Sequence, residues 1–225
     1  MLKIENLSKS YGKHNILNNI SLELPAGKCI GIIGANGCGK STLLSIIAGT
    51  LSYNSGTITI LDKYPHSAAN CSQYIGYVPQ ENPLFDKLTA LDNLKFWYGS
   101  DSSQLKEDLS NGLPALFGIT EYLKKRVENM SGGMKKRLSI ACSLAKHQPI
   151  LVLDEPCAAL DLPCKEDIHN YLRNYLKAGN SVIITSHEES DIAMCDILYL
   201  IKDSKISCID TDTSSDMSAL TEYLR

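Results

Sequence analysis

An α/β fold, with a mixed or parallel sheet flanked by helices, is predicted from three observations. Residues 150–153 are a continuous apolar run, the pattern of a strand covered on both faces, and 182–185 read as a second buried strand. Each ends in polar residues, Asp154 and Glu155 after the first and Ser186 and His187 after the second. A third run, 29–33, opens into GANGCGKST at 34–42, after which Leu43, Leu44, Ile46 and Ile47 are spaced for the buried face of a helix. Strand, glycine-rich turn and helix start are the context that a phosphate-binding loop requires.

Residue types in the loop specify its chemistry. Gly34, Gly37 and Gly39 let the backbone turn its amides inward, and the following helix N-terminus adds partial positive charge. Gly34, Ala35, Asn36, Gly37, Cys38, Gly39, Lys40, Ser41 and Thr42 therefore form the candidate nucleotide-binding segment. Within it Lys40 serves the outer phosphates and the Ser41 hydroxyl is a magnesium ligand. Asp154, at the end of its strand, is placed to hold magnesium through water, and Glu155 to orient or deprotonate an attacking water. Two such acids alone would serve equally as a helix cap; with the upstream loop they indicate a phosphate-loop NTPase core.

The 225 residues suffice for one sizeable domain, or a core with a smaller subdomain, and are too few for two nucleotide-binding units. A net charge of -3 argues against broad nucleic-acid binding. No apolar run approaches the roughly 20 residues that cross a bilayer, and Lys3, Glu5, Lys9 and Lys13 interrupt any signal-peptide pattern. The expected location is the cytoplasm, with any membrane role supplied by a partner. None of the eight cysteines forms a CxxC pair, and their scatter reads as buried free thiols rather than a disulfide scaffold or metal site. Cys38 is the exception, because alkylation inside the phosphate loop is expected to block nucleotide binding.

Taken in order, Leu2, Ile4 and Leu7, and then Ile16, Ile20, Leu22 and Leu24, alternate with polar residues as half-exposed antiparallel strands do. Tyr11 between them is either a surface turn residue or an aromatic that stacks on a flat base. A helix over 40–48 is closed by Gly49, and strands follow at 55–61 and 75–78. Residues 81–129 read as helix and loop, with Thr89 as N-cap and Asp92 completing a capping box. The stripe Leu91, Leu94, Trp97 and Tyr98 is either helical core or a groove for a partner helix. Ser131 caps a helix through Lys146, whose Lys135, Lys136 and Arg137 sit where the helix dipole disfavours cations; an acidic neighbour or a solvated face accounts for them. A helix over 163–178 is closed by Gly179, and the tail from 197 reads as two short strands and a terminal helix.

These residues resemble, in order and over nearly the whole chain, those of the ATP-binding cassette ATPases. Tyr11 matches the adenine-stacking aromatic, 34–42 the Walker A motif, and Gln80 the loop that senses magnesium and the membrane subunit. MSGGM at 130–134 is similar to the family signature, Asp154 and Glu155 to the Walker B acid and catalytic glutamate, 159–161 to the loop crossing the dimer interface at Asp161, and His187 to the switch histidine. The resemblance implies one ATP-binding domain, with an ATPase core and antiparallel β-subdomain in 1–80 and 130–225 and an α-helical subdomain in 81–129. It implies ATP and Mg2+ as cofactors, with Ser41, Gln80 and Asp154 at the metal and Glu155, His187 and Gln80 in catalysis. It also implies a second ATPase subunit, identical or not, closing head to tail so that Ser131, Gly132 and Gly133 of one chain hold the terminal phosphate bound by the other. Membrane association would run through a transmembrane permease, on the cytoplasmic face, with no nucleic acid involved.

Three residues depart from the family pattern, the first being Met130, where the signature usually begins with leucine. Met134 replaces the usual glutamine, as in a subset in which a separate ATPase subunit drives an export permease, and Cys157 stands where threonine is common. Export is therefore the expected role. The alternatives are a soluble family member that clamps a cytosolic assembly or nucleic acid without transport, and a regulatory cassette of weak activity paired with an active one. An apolar groove near Trp97 would favour a permease coupling helix.

Overall fold

The computed structural model describes residues 1–64, 71–158 and 160–209. Its strands are β1 (Leu2–Tyr11), β2 (His14–Leu24), β3 (Cys29–Ile33), β4 (Ser55–Ile60), β5 (Ile75–Val78), β6 (Ile150–Asp154), β7 (Ser181–Thr185), β8 (Ile197–Lys202) and β9 (Lys205–Ile209). The first antiparallel sheet has the order β2-β1-β4. Its simple alternation is interrupted at Asn6 and Asn19, both at φ 52°, a conformation asparagine tolerates better than most residues. Each irregularity is tied by a hydroxyl, Asn6 N donating to Ser21 Oγ at 3.0 Å and Asn19 N to Ser8 Oγ at 3.0 Å. The extra residue changes which side chains face inward. Leu17 is therefore buried where the alternation pointed to Ile16, which is half-buried.

The second sheet has the order β5-β6-β7-β3-β8-β9, parallel from β5 to β8 with β9 antiparallel at the edge. Every residue of β3, β6 and β7 is buried. Alternate side chains enter two cores. Ile30, Ile32, Val152 and Ile183 pack with Leu43, Leu44 and Ile47 of α1 (Lys40–Ile47) and with Leu2, Ile4 and Leu22 of the first sheet. Leu151, Leu153, Val182 and Ile184 face the opposite way, toward the remaining helices.

Those helices are α2 (Ala90–Tyr98), α3 (Ser102–Asn111), α4 (Leu113–Leu116), α5 (Gly132–Ser143), α6 (Leu162–Lys177) and α7 (Glu189–Ile192), with 3-10 turns at Ile119–Tyr122 and Val127–Asn129. Leu94 of α2, Phe117, Ile119 and Val127 share the second core with Leu138 of α5 and Ile168 and Leu172 of α6. The Thr89–Asp92 capping box is present in full. Helix α5 stops at Ser143 rather than Lys146, because the chain turns at His147, φ 51°, and Pro149 leads it into β6. The expected terminal helix lies outside the described residues. No helix among the described residues is long and apolar enough to cross a membrane.

The capping box starts helix α2 within the 81–129 segment. Thr89→Ala is expected to cost about 1 kcal/mol of stability, read as an earlier urea midpoint with an unchanged slope.

Candidate active site

The loop after β3 is closed by contacts that only glycine permits. A Cβ at Gly34, φ 149°, would lie 2.5 Å from the Ile201 carbonyl oxygen and 2.8 Å from Cys38 Sγ. Helix α1 starts at Gly39 with no side-chain cap and no acidic residue in its first turn, so nothing on the helix itself offsets the positive end of its dipole. Lys40 is buried and folds back over the loop, its Nζ donating to the carbonyls of Gly34 at 2.7 Å and Ala35 at 3.2 Å. The same ammonium lies 3.4 Å from His187 Nε2.

Thr185 locks the acidic side of the site. Its register position is opposite Asp154, and its hydroxyl donates to Asp154 Oδ1 at 2.5 Å. Glu155 N in turn donates to the Thr185 carbonyl at 3.0 Å and contacts the same hydroxyl at 3.2 Å. Glu155 is thereby held at φ 47°, a left-handed conformation that costs a non-glycine residue roughly 1–2 kcal/mol. Its carboxylate accepts from Gln80 Nε2 at 3.3 Å and lies 3.6 Å from His187 Nε2. Lys136 is buried behind Gln80, its Nζ 3.5 Å from the Gln80 carbonyl. Burial pulls its pKa below the usual lysine value, and the Asp154 and Glu155 charges oppose that shift.

A cavity of about 450 Å³ is lined by Gly37, Gly39, Lys40, Ser41, Thr42, Gln80, Glu155 and His187, among others. A second, of about 470 Å³, lies on the other flank of the loop, beside Asn15, Ala35, Asn36, Cys38 and Lys202. Oxygen donors from Ser41 and Gln80, with Asp154 preceding Glu155, form a hard set that suits Mg2+ rather than a softer metal.

Other sequence-predicted residues stand apart from these cavities. Tyr11, 50% exposed, ends β1 with Lys9 Nζ 5.0 Å above its ring, and it lines neither cavity. Ser131 caps α5 by accepting from Met134 N at 3.3 Å, and Asp161 caps α6 by accepting from Cys164 N at 3.0 Å. The two helix starts are neighbours, since a Cβ on Gly133 would lie 3.3 Å from Cys164 Sγ. A Cβ on Gly132 would meet nothing within 4 Å. Arg137 finds its acidic neighbour in Asp167, at 2.5 Å. Ala159 lies outside the described residues. The cysteines are free; Cys29, Cys71, Cys142, Cys157 and Cys164 are buried, whereas Cys208 is exposed, contrary to the expectation of burial for the cysteines other than Cys38. Sequence reasoning missed Thr185, whose only signal, a hydroxyl across from a strand-end acid, requires the strand register.

Strand, phosphate loop, strand-end acids and a following histidine on a parallel sheet define a nucleotide-binding ATPase of the phosphate-loop class. The sequence profile of the ABC transporter family matches residues 17–158. The linearmycin resistance ATP-binding protein LnrL of Bacillus subtilis is 36% identical over 95% of this chain and 70% of its own length. The lantibiotic transport ATP-binding protein SrtF of Streptococcus pyogenes is 37% identical over 92% of this chain and 89% of its own. A dimeric ATP-binding cassette bound to ADP and phosphate in a post-hydrolysis state superimposes with a TM-score of 0.83 at 25% identity, covering 92% of this chain and 97% of that one. The chain belongs to the ABC transporter family and is an ATP-binding, ATP-hydrolysing transporter subunit.

Cys38 lines the loop cavity and Cys208 is exposed on β9. Saturating ATP is expected to protect Cys38 from a thiol reagent while Cys208 reacts unchanged, as peptide mass spectrometry would show. Equal labelling of Cys38 with and without ATP would contradict the placement of nucleotide over the loop.

Proposed function

We propose that this chain is the energising subunit of an exporter, converting ATP-driven head-to-tail dimerisation into movement of a membrane permease. The observation that carries this reading is an apolar groove of about 620 Å³ sharing the β5 end with the hydrolytic cavity. It is lined by Tyr77, Pro79, Pro83, Phe96 and Trp97 among others, and Pro79 is the neighbour of Gln80. Phe96 is 60% exposed and packs edge to face with Phe85 at 4.7 Å. Such a surface fits the apolar end of a permease helix. Its link to chemistry is short, since Gln80 contacts Glu155 directly. Relatives named for linearmycin resistance and lantibiotic transport, and the Nod factor export ATP-binding protein I of Sinorhizobium fredii, 34% identical over 89% of this chain and 60% of its own length, support export.

In this reading residues 1–225 form one domain, its core in 1–80 and 130–225 and its helical subdomain in 81–129. Lys40 and the loop amides bind the phosphates, and Tyr11 stacks on adenine once nucleotide is bound. Ser131 and the amides of Gly132 and Gly133 hold the terminal phosphate bound by the opposing chain. Support comes from the open space around Gly132, because nothing among the described residues of its own chain requires a glycine there. Asp161, beside that helix start, faces the dimer interface. Glu155 orients and deprotonates the water, and His187, between Glu155 and Lys40, steadies the transferred phosphate. Magnesium, held by Ser41, Gln80 and, through water, Asp154, would neutralise charge on the outer phosphates. The subunit sits peripherally on the cytoplasmic face of the membrane through its permease.

Glu155→Gln is expected to lower turnover by on the order of a hundredfold or more while ATP still binds and holds the dimer closed. Pull-down of this variant and of the native chain from native membranes should recover a multi-spanning membrane protein. Recovery of soluble partners alone would instead establish a clamp acting on a cytosolic assembly.

A further inference from the structure

A buried polar cluster lies beneath the loop that carries His187, and none of the steps above uses it. Asp191 is fully buried, and its carboxylate is approached from three other segments. His169 Nε2 on α6 lies 2.5 Å from Oδ1, and Ser186 Oγ donates to Oδ2 at 2.6 Å. The Cys157 thiol lies 3.6 Å from the same histidine nitrogen and adds to the polar surroundings of the carboxylate. Burial works to raise the Asp191 pKa, but His169, Ser186 and Cys157 outweigh it and keep the carboxyl below its ordinary value.

The placement of these groups gives the cluster its meaning. Cys157 is two residues past Glu155, and Ser186 immediately precedes His187. On the far side of His187, Glu188 N donates to Ser186 Oγ at 3.0 Å, and the Glu188 carboxylate pairs with Lys165 of α6 at 2.8 Å. The histidine loop is therefore tied to α6 on both flanks, through Ser186, Asp191 and His169 on one side and through Lys165 on the other. The ligand atoms of Cys157, His169 and Asp191 all lie within 4.8 Å of one another, which invites a metal reading. A tetrahedral zinc would hold such atoms roughly 3.3 Å apart. The 2.5 Å between His169 and Asp191 is a direct hydrogen bond with no room for an ion.

We propose that His169 and Asp191 are positioning residues for His187, fixing the histidine loop relative to Glu155 through Ser186 and so setting the rate of hydrolysis rather than the affinity for ATP. This rests on the reading of His187 and Glu155 as hydrolytic groups. The cluster gives the loop a rigid support, and small displacements of catalytic groups are costly in rate.

The test is a set of ATPase measurements on the purified full chain. His169→Leu removes the donor to Asp191 and is expected to lower kcat on the order of tenfold, with the KM for ATP unchanged. His169→Gln, which returns an N–H to the same place, should recover most of that loss. Ser186→Ala, a smaller change that opens little space, should lower kcat in the same direction and serves if the leucine variant folds poorly. Adding His169→Leu to His187→Ala should cause no further fall, because the two act through one group. Wild-type kcat in both His169→Leu and Ser186→Ala, failure of glutamine to recover activity, or a full additional loss in the double variant would overturn the proposal. Full activity of His187→Ala by itself would instead remove the hydrolytic reading, and this proposal with it.

Discussion

Parallel pairing of β3, β7 and β6 is the constraint on which the rest of the molecule depends. Thr185 stands opposite Ile32 on one side and Asp154 on the other, so phosphate loop, acidic pair and histidine leave the sheet at one edge. A slip of one residue would turn Thr185 to the opposite core and take its hydroxyl away from Asp154 and Glu155. Full burial on both faces makes that slip prohibitive, since alternate side chains of these strands fill two separate cores. The site's geometry is thus a consequence of apolar packing well away from any reacting atom.

Electrostatics at the site is a matter of distribution and not of totals. The chain carries a net charge of -3, yet the loop side presents a buried lysine and a helix start without a compensating acid. Across the cavity Glu155 faces this positive side, with Gln80 and His187 at its two oxygens. In the proposed mechanism anion recognition and water activation would therefore occupy opposite walls of one space. Holding Glu155 in a left-handed conformation is the local cost of that arrangement, and Thr185 secures it with two contacts to the same backbone nitrogen.

Much of this was legible in the sequence because the relevant signals are local. The loop, the strand-end acids, the Thr89–Asp92 box and the buried strands each declare themselves within a few residues. What escaped needs tertiary knowledge. The bulges at Asn6 and Asn19 exchanged Ile16 for Leu17 in the core, because an asparagine tolerates positive φ without requiring it. Thr185 and the His169–Asp191 pair acquire roles only from the strands and helices they meet. The start of α5 at Ser131 is a different case: its N-cap was legible, but Ser131 does not line the cavity at the phosphate loop, and in the proposed dimer a second ATPase subunit would supply that contact.

That composite character is the central claim, and its most direct measurement is the ATPase rate per chain as a function of chain concentration. A site completed by a second chain predicts a specific rate that rises with concentration and saturates as dimers form. A specific rate independent of concentration, in a chain shown by light scattering to stay monomeric with ATP, would contradict the account.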